Sequence, residues 1–257
     1  MKYPEIEKLI DIIAVLRGEN GCPWDREQTH KSLRPNMLEE AYEAVDAIDD
    51  GDMENLREEL GDVLLQVVLH SQIAKDEGIF DIEEVARELS AKLIHRHPHV
   101  FGSAHIDSAE DVVKAWDNIK KEEKTDRKSV LDGISKSQSA LMSAQKISKK
   151  VVKVGFEWDS VESLKECIKS EYKEFEEAVA SGDKEHMEDE MGDILFATVN
   201  LARWYKIDAE QALITSNKKF IRRFKKMEEL KTKPFEEYSY EEFDRLWKRA
   251  KVETENG

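Results

Sequence analysis

The chain has 257 residues, enough for two ordinary domains with apolar cores of their own. Only 11 Gly and 5 Pro accompany 40% hydrophobic and 37% charged residues, a balance that favours helices over sheets and tight turns. The formal net charge of −16 repels nucleic-acid phosphates, so general nucleic-acid binding is not expected. A small polyanion can still bind where cations or a metal reverse the local field.

In chain order, Met1-Lys2-Tyr3-Pro4-Glu5 is charged and lacks the apolar core of a signal peptide. No later run approaches the roughly 20 apolar residues of a membrane span, so a cytoplasmic protein without membrane contact is expected. Cys22 and Cys167 are too few for a disulfide framework or a zinc site. The first strong pattern is Met37-Leu38, Ala41-Tyr42, Val45 and Ile48, apolar at helical spacing. Gly51-Asp52 breaks it, and a second helix is predicted from about Met53 to Ile73. Gly78 precedes a third through Ile82, Val85, Leu89 and Leu93, and a fourth around 112–119 carries Trp116. A charged run, residues 120–128, follows and predicts a helix end and linker. Helices over 168–179, 186–205, 209–230 and 240–251 then play the same parts again. No βαβ alternation is present. The expected organisation is all-α, with one unit at 1–124, a linker at 125–135 and a second unit at 136–257.

The two units are copies. Pro23-Trp24-Asp25 recurs as Glu157-Trp158-Asp159, an offset of 134, and at that offset Glu40 and Glu43 pair with Glu174 and Glu177. Glu59-Leu60-Gly61-Asp62 recurs as Glu190-Met191-Gly192-Asp193 at 131. Lys92 and Arg96 match Lys219 and Arg223 at 127, and Trp116 and Lys120 match Trp247 and Lys251 at 131.

Carboxylates three apart share one side of a helix, so Glu40 with Glu43 and Glu59 with Asp62 can converge from neighbouring helices. The second copy offers Glu174, Glu177, Glu190 and Asp193. Taken alone, Glu40 and Glu43 read as a solvated face opposite the apolar stripe. Asp62 and Asp193, however, each open a nearly unbroken apolar run, which predicts burial and a need for cationic partners. Oxygen-only ligands suit Mg²⁺, with Mn²⁺ as a substitute, over zinc or copper.

At these residues the sequence resembles the MazG nucleoside triphosphate pyrophosphohydrolases. Leu38-Glu39-Glu40-Ala41-Tyr42-Glu43 with Glu59-Leu60-Gly61-Asp62 is similar to that family's EExxE…ExxD signature. Asn200-Leu201-Ala202-Arg203, Lys219-Phe220-Ile221-Arg222-Arg223, Gly21-Cys22-Pro23-Trp24-Asp25 and residues 96–101 resemble its tandem-domain members. The resemblance implies two tandem MazG-like helical units, each with a four-helix-type carboxylate metal site. It also implies a homodimer and hydrolysis of NTPs or dNTPs to the monophosphate and pyrophosphate. In the second unit Lys173-Glu174 stands where the family pattern has Glu-Glu, and only Glu174 and Glu177 carry over there.

Such chemistry needs no Ser, Cys or His nucleophile, because a bound divalent ion can activate water. Glu39, with Glu40, Glu174 and Glu177, then forms the catalytic set, Glu39 as an acceptor of the water's proton. Lys219, Arg222, Arg223 and Lys251 are placed to grip phosphates, and Lys92, Arg96 and Lys120 repeat them. Trp247 and Trp116 read either as base or ribose contacts or as core. His95-Arg96-His97-Pro98-His99 reads as a phosphate-facing or structural loop. A di-iron bundle would need a second copy of the Glu27-x-x-His30 pattern, and a P-loop signature is absent. A narrow all-α pyrophosphohydrolase for dUTP or a phosphoribosyl nucleotide, and a non-catalytic metal-binding helical scaffold, are the alternatives.

Overall fold

The computed structural model describes residues 3–123 and 128–255, apart from the side chains of Asp117 and Lys121. Every regular element among the described residues is helical. The chain divides into two compact units, Met1–Thr125 and Asp126–Gly257. Residues 125–127 of the expected linker lie outside the described residues. Its continuation is fastened to the second unit, where Lys150 Nζ donates to the carbonyls of Val130 and Asp132 at 2.8 and 2.9 Å.

The first unit contains α1 (Pro4–Arg17), α2 (Pro23–Glu27), α3 (Arg34–Asp50), α4 (Met53–Asp76), α5 (Ile82–Arg96), α6 (Pro98–Phe101) and α7 (Ala109–Glu122). Gly51, at φ 69°, ends α3 in the left-handed region. Asp52 then caps α4 by accepting from the backbone N–H of Glu54 and Asn55. This two-residue turn folds α3 and α4 into a helical hairpin. Helix α1 had no counterpart among the predicted elements, yet it closes the core of this unit. Its Ile13 packs with Leu33, Val68, Leu69 and Ile73, flanked by Leu9, Ile10 and Leu16. Burying each such Leu or Ile side chain stabilises by about 1.5–3 kcal/mol. At the end of α1, Arg17 donates to Asp76 on α4 at 2.8 Å and to the carbonyl of Asp25 on α2.

The second unit contains α8 (Ala140–Val152), α9 (Val161–Ser181), α10 (Lys184–Trp204), α11 (Ala209–Leu230), a 3-10 turn (Phe235–Glu237) and α12 (Tyr240–Glu255). Gly182, at φ 74°, and the cap Asp183 repeat the hairpin turn between α9 and α10. Helix α8 was also unpredicted, and the residues it buries fully, Gln145 and Ser148, are polar and paired. Ser148 Oγ donates to Asn200 Oδ1 at 2.5 Å, and Asn200 Nδ2 donates to the carbonyl of Phe196 at 2.9 Å. Gln145 donates to the Ile207 carbonyl and accepts from the Ala209 N–H. Fully paired, these buried groups avoid the penalty of orphaned polar atoms. A second core joins α11 to α12: Met227, Leu246 and Ala250, with Phe235, Phe243 and Trp247 packed against them.

Candidate active site

The α3–α4 hairpin brings Glu40, Glu43 and Glu59 together, with potential ligand oxygens all within 4.8 Å of one another. Glu40 and Glu59 are half-buried and Glu43 is exposed. Crowding shows in their acidity. Burial, then Asp62, Glu43 and Glu39, holds the Glu40 carboxyl above the usual carboxylate range. Burial, then Glu43 and Asp62, does the same at Glu59. Asp62 lies outside the group of three but close enough for its charge to act on both. Glu39 is exposed and adds to the repulsion. Because this donor set is oxygen alone, it fits a hard divalent cation.

In the second unit the equivalent group is Glu171, Glu174 and Glu190. The sequence reading paired Glu174 with Glu177, whereas the structure gathers Glu174 with Glu171. Glu177 is exposed, outside the group, and pairs with Lys173 at 3.4 Å. At the hairpin offset of 131, Glu39-Glu40 of the first unit therefore aligns with Ser170-Glu171, not with Lys173-Glu174. The cause is a connection three residues shorter: Trp24 to Glu40 spans 16 positions and Trp158 to Glu171 spans 13. The first unit inserts α2 and a loop before α3, whereas α9 starts immediately after Ser160. Gly51-Asp52 and Gly182-Asp183 stand at an offset of 131 and were the sequence signal that identifies Glu171. The predicted burial of the Asp pair is not met in full, since Asp62 is half-buried and Asp193 exposed. Asp193 nevertheless faces the site. Burial first, then Glu171, Glu174 and Asp193, pushes the Cys167 thiol up.

The basic residues lie on other helices. In the second unit Lys219 and Arg222 on α11 and Lys251 on α12 are exposed. Arg223 bonds Glu255 through Nη2, lies 5.9 Å from the Trp247 ring, and keeps a buried Nε without a partner. A cavity of about 350 Å³ opens beside Trp247, lined by Phe220, Phe224, Met227, Tyr240, Phe243 and Asp244. Trp247 both packs against the core and lines the cavity. In the first unit Arg96 donates twice to Glu123, at 3.1 and 2.5 Å, and Lys120 lies 5.8 Å from the Trp116 ring. Lys92 is exposed on α5. His97 meets Trp116 edge-on at 4.9 Å and bonds the Leu93 carbonyl, so that histidine packs structurally.

The sequence profile of the MazG nucleotide pyrophosphohydrolase domain matches the chain twice, over residues 28–101 and 159–227. A Thermotoga maritima protein named nucleoside triphosphate pyrophosphohydrolase/pyrophosphatase MazG is 47% identical over 249 residues, covering 95% of each chain. The Escherichia coli K12 nucleoside triphosphate pyrophosphohydrolase is 45% identical over 231 residues, 88% of each. A Bacillus subtilis protein, YabN, is 48% identical over 258 residues, 98% of this chain and 53% of that one. Two profile matches on two helical units, each with a carboxylate group on its hairpin, show that the chain belongs to the MazG family of nucleotide pyrophosphohydrolases.

Proposed function

We propose that the chain hydrolyses nucleoside triphosphates, ribo or deoxyribo, between the α and β phosphorus atoms, giving the monophosphate and pyrophosphate in a Mg²⁺-dependent reaction. The observation that carries this reading is the three-carboxylate group recurring on the same hairpin in both units. When bound there, Mg²⁺ supplies charge neutralisation for phosphate oxygens and an acidified water. Glu171, Glu174 and Glu190 would hold it in the second unit, and Glu40, Glu43 and Glu59 in the first, with Asp193 and Asp62 alongside. Lys219, Arg222, Arg223 and Lys251 would bind the phosphates, their counterparts being Lys92, Arg96 and Lys120. The buried, unpartnered Nε of Arg223 supports that role. The aromatic cavity beside Trp247 is large enough for a base or ribose. Glu39 is free to accept a proton in the first unit, whereas Ser170 at the matching position cannot. Product analysis tests the reaction: NMP with pyrophosphate is expected, and NDP with orthophosphate as primary products overturns it.

Large apolar side chains along the hairpins stay exposed in the chain, among them Leu60 at 54% and Leu195 at 52%. This supports a homodimer that covers them, and a monomer by light scattering at micromolar concentration would contradict it. None of the described helices is long and apolar enough to cross a membrane. Nucleotide substrates support a cytoplasmic activity, and cell fractionation that recovers the protein with membranes would oppose this.

A further inference from the structure

The two carboxylate groups share a backbone plan but differ in what holds the carboxylates. In the second unit each of the three has a donor one helical turn before it. The Cys167 thiol donates to Glu171 at 3.5 Å, Ser170 Oγ donates to Glu174 at 3.0 Å, and His186 Nε2 lies 3.0 Å from Glu190 Oε1. The same i to i+4 geometry thus occurs three times around one centre. At the 131 offset the first unit has Asn36, Glu39 and Asn55 instead. No side chain among the described residues hydrogen-bonds Glu40, Glu43 or Glu59 there.

A free Glu side chain must give up several rotamers when it ligates a cation, and clustered carboxylates must also be brought together against their repulsion. A donor fixed on the preceding turn lowers both costs, because it orients the carboxylate before the cation arrives and offsets part of its charge. Glu39 works the other way in the first unit. Its extra negative charge attracts a cation, but as an exposed group it is screened by water and salt, so orientation outweighs it. We propose that Cys167, Ser170 and His186 are positioning residues that pre-set the second centre for a divalent cation, so that it fills before the first. This rests on the carboxylate groups being the metal sites proposed above.

The test is Mn²⁺ titration of the full chain, reading free Mn²⁺ by electron paramagnetic resonance. In a Glu40→Gln, Glu43→Gln background only the second centre remains. There Ser170→Ala, Cys167→Ala and His186→Asn should each weaken Mn²⁺ binding about 10-fold, while Ser170→Thr and Cys167→Ser, which keep a donor, should retain it. The first centre alone, in a Glu171→Gln, Glu174→Gln chain, should bind about 10-fold more weakly than the second alone. Affinities within twofold across the Ala, Asn and parent chains, or tighter binding by the first centre, overturn the inference. Removing all four of Glu40, Glu43, Glu171 and Glu174 as Gln must abolish binding. If Mn²⁺ still binds at those affinities, the metal-site reading itself fails. Circular dichroism and melting of each variant separate loss of metal from loss of fold.

Discussion

Glu40 and Glu59 carry a pH signature whose sign follows from crowding. Their carboxyls sit above the usual carboxylate range in the folded chain. The stability they contribute is therefore fully present below the unfolded value and is lost as pH rises through the raised folded value. Lowered carboxyls elsewhere, such as Asp111 and Glu242, act oppositely, so a difference measurement is needed. Thermal melts of the metal-free parent and of Glu40→Gln with Glu59→Gln, from pH 4 to 8, isolate the pair. The double variant should gain relative stability as pH rises and lose the part of the Mg²⁺-induced shift that the first centre supplies at pH 8. A gap between the two chains that is flat with pH sinks this account. The charge pattern that raises these groups was visible in the sequence, since Glu39, Glu40 and Glu43 face Glu59 and Asp62 across one turn. Glu171 was not. Helix α9 carries Glu171, Glu174, Glu176 and Glu177, so two different pairs satisfy a three-residue spacing. The Trp-to-helix offset of 134 favours the wrong pair, and only the turn offset of 131 decides between them.

The hairpin is the element that makes each site, and its turn was legible because Gly-Asp combines a left-handed stop with a cap. Helices α1 and α8 escaped because the repeat landmarks do not reach them. Their contact surfaces have also diverged, Ile13 on α1 against the buried Gln145 and Ser148 on α8. A periodicity of apolar residues cannot reveal a helix that buries amides and hydroxyls. The turn gives a prediction at this scale. Gly182 has φ 74° with nothing within 4 Å of where a Cβ would stand, so Gly182→Ala meets backbone strain and no clash. It should cost about 1 kcal/mol. Asp183→Ala removes the acceptor for the Glu185 and His186 N–H groups and should also cost about 1 kcal/mol. Urea unfolding of a second-unit variant series measures both. Because the first turns of α10 bear His186 and Glu190, the cap variant should weaken Mn²⁺ binding by the second centre as well, and Gly182→Ala should do so less.

For the whole molecule, duplication leaves two centres that need not do equal work. The phosphate-facing sets favour the second: Lys219, Arg222 and Arg223 against Lys92, His95 and Arg96. The second set counts three Lys or Arg cations and the first only two, Lys92 and Arg96. Arg96 is further committed to Glu123 by two hydrogen bonds, whereas Arg223 bonds Glu255 through one nitrogen and leaves its buried Nε unpartnered. A cavity adjoins Trp247 in the second unit. We therefore expect the second unit to carry triphosphate hydrolysis and the first to hold metal with weaker turnover. With the register corrected, the decisive pair is Glu171→Gln with Glu174→Gln against Glu40→Gln with Glu43→Gln. Loss of two ligand carboxylates should lower kcat/KM by at least about 100-fold at the centre that does the chemistry. The second-unit pair should show that loss, and the first-unit pair should stay within about tenfold of the parent, since the intact second centre still turns over. Glu177→Gln, outside the group, should stay near the parent and serves as the control for surface charge. The opposite ranking of the two pairs assigns the chemistry to the first unit, and there Glu39 supplies the proton acceptor that Ser170 cannot.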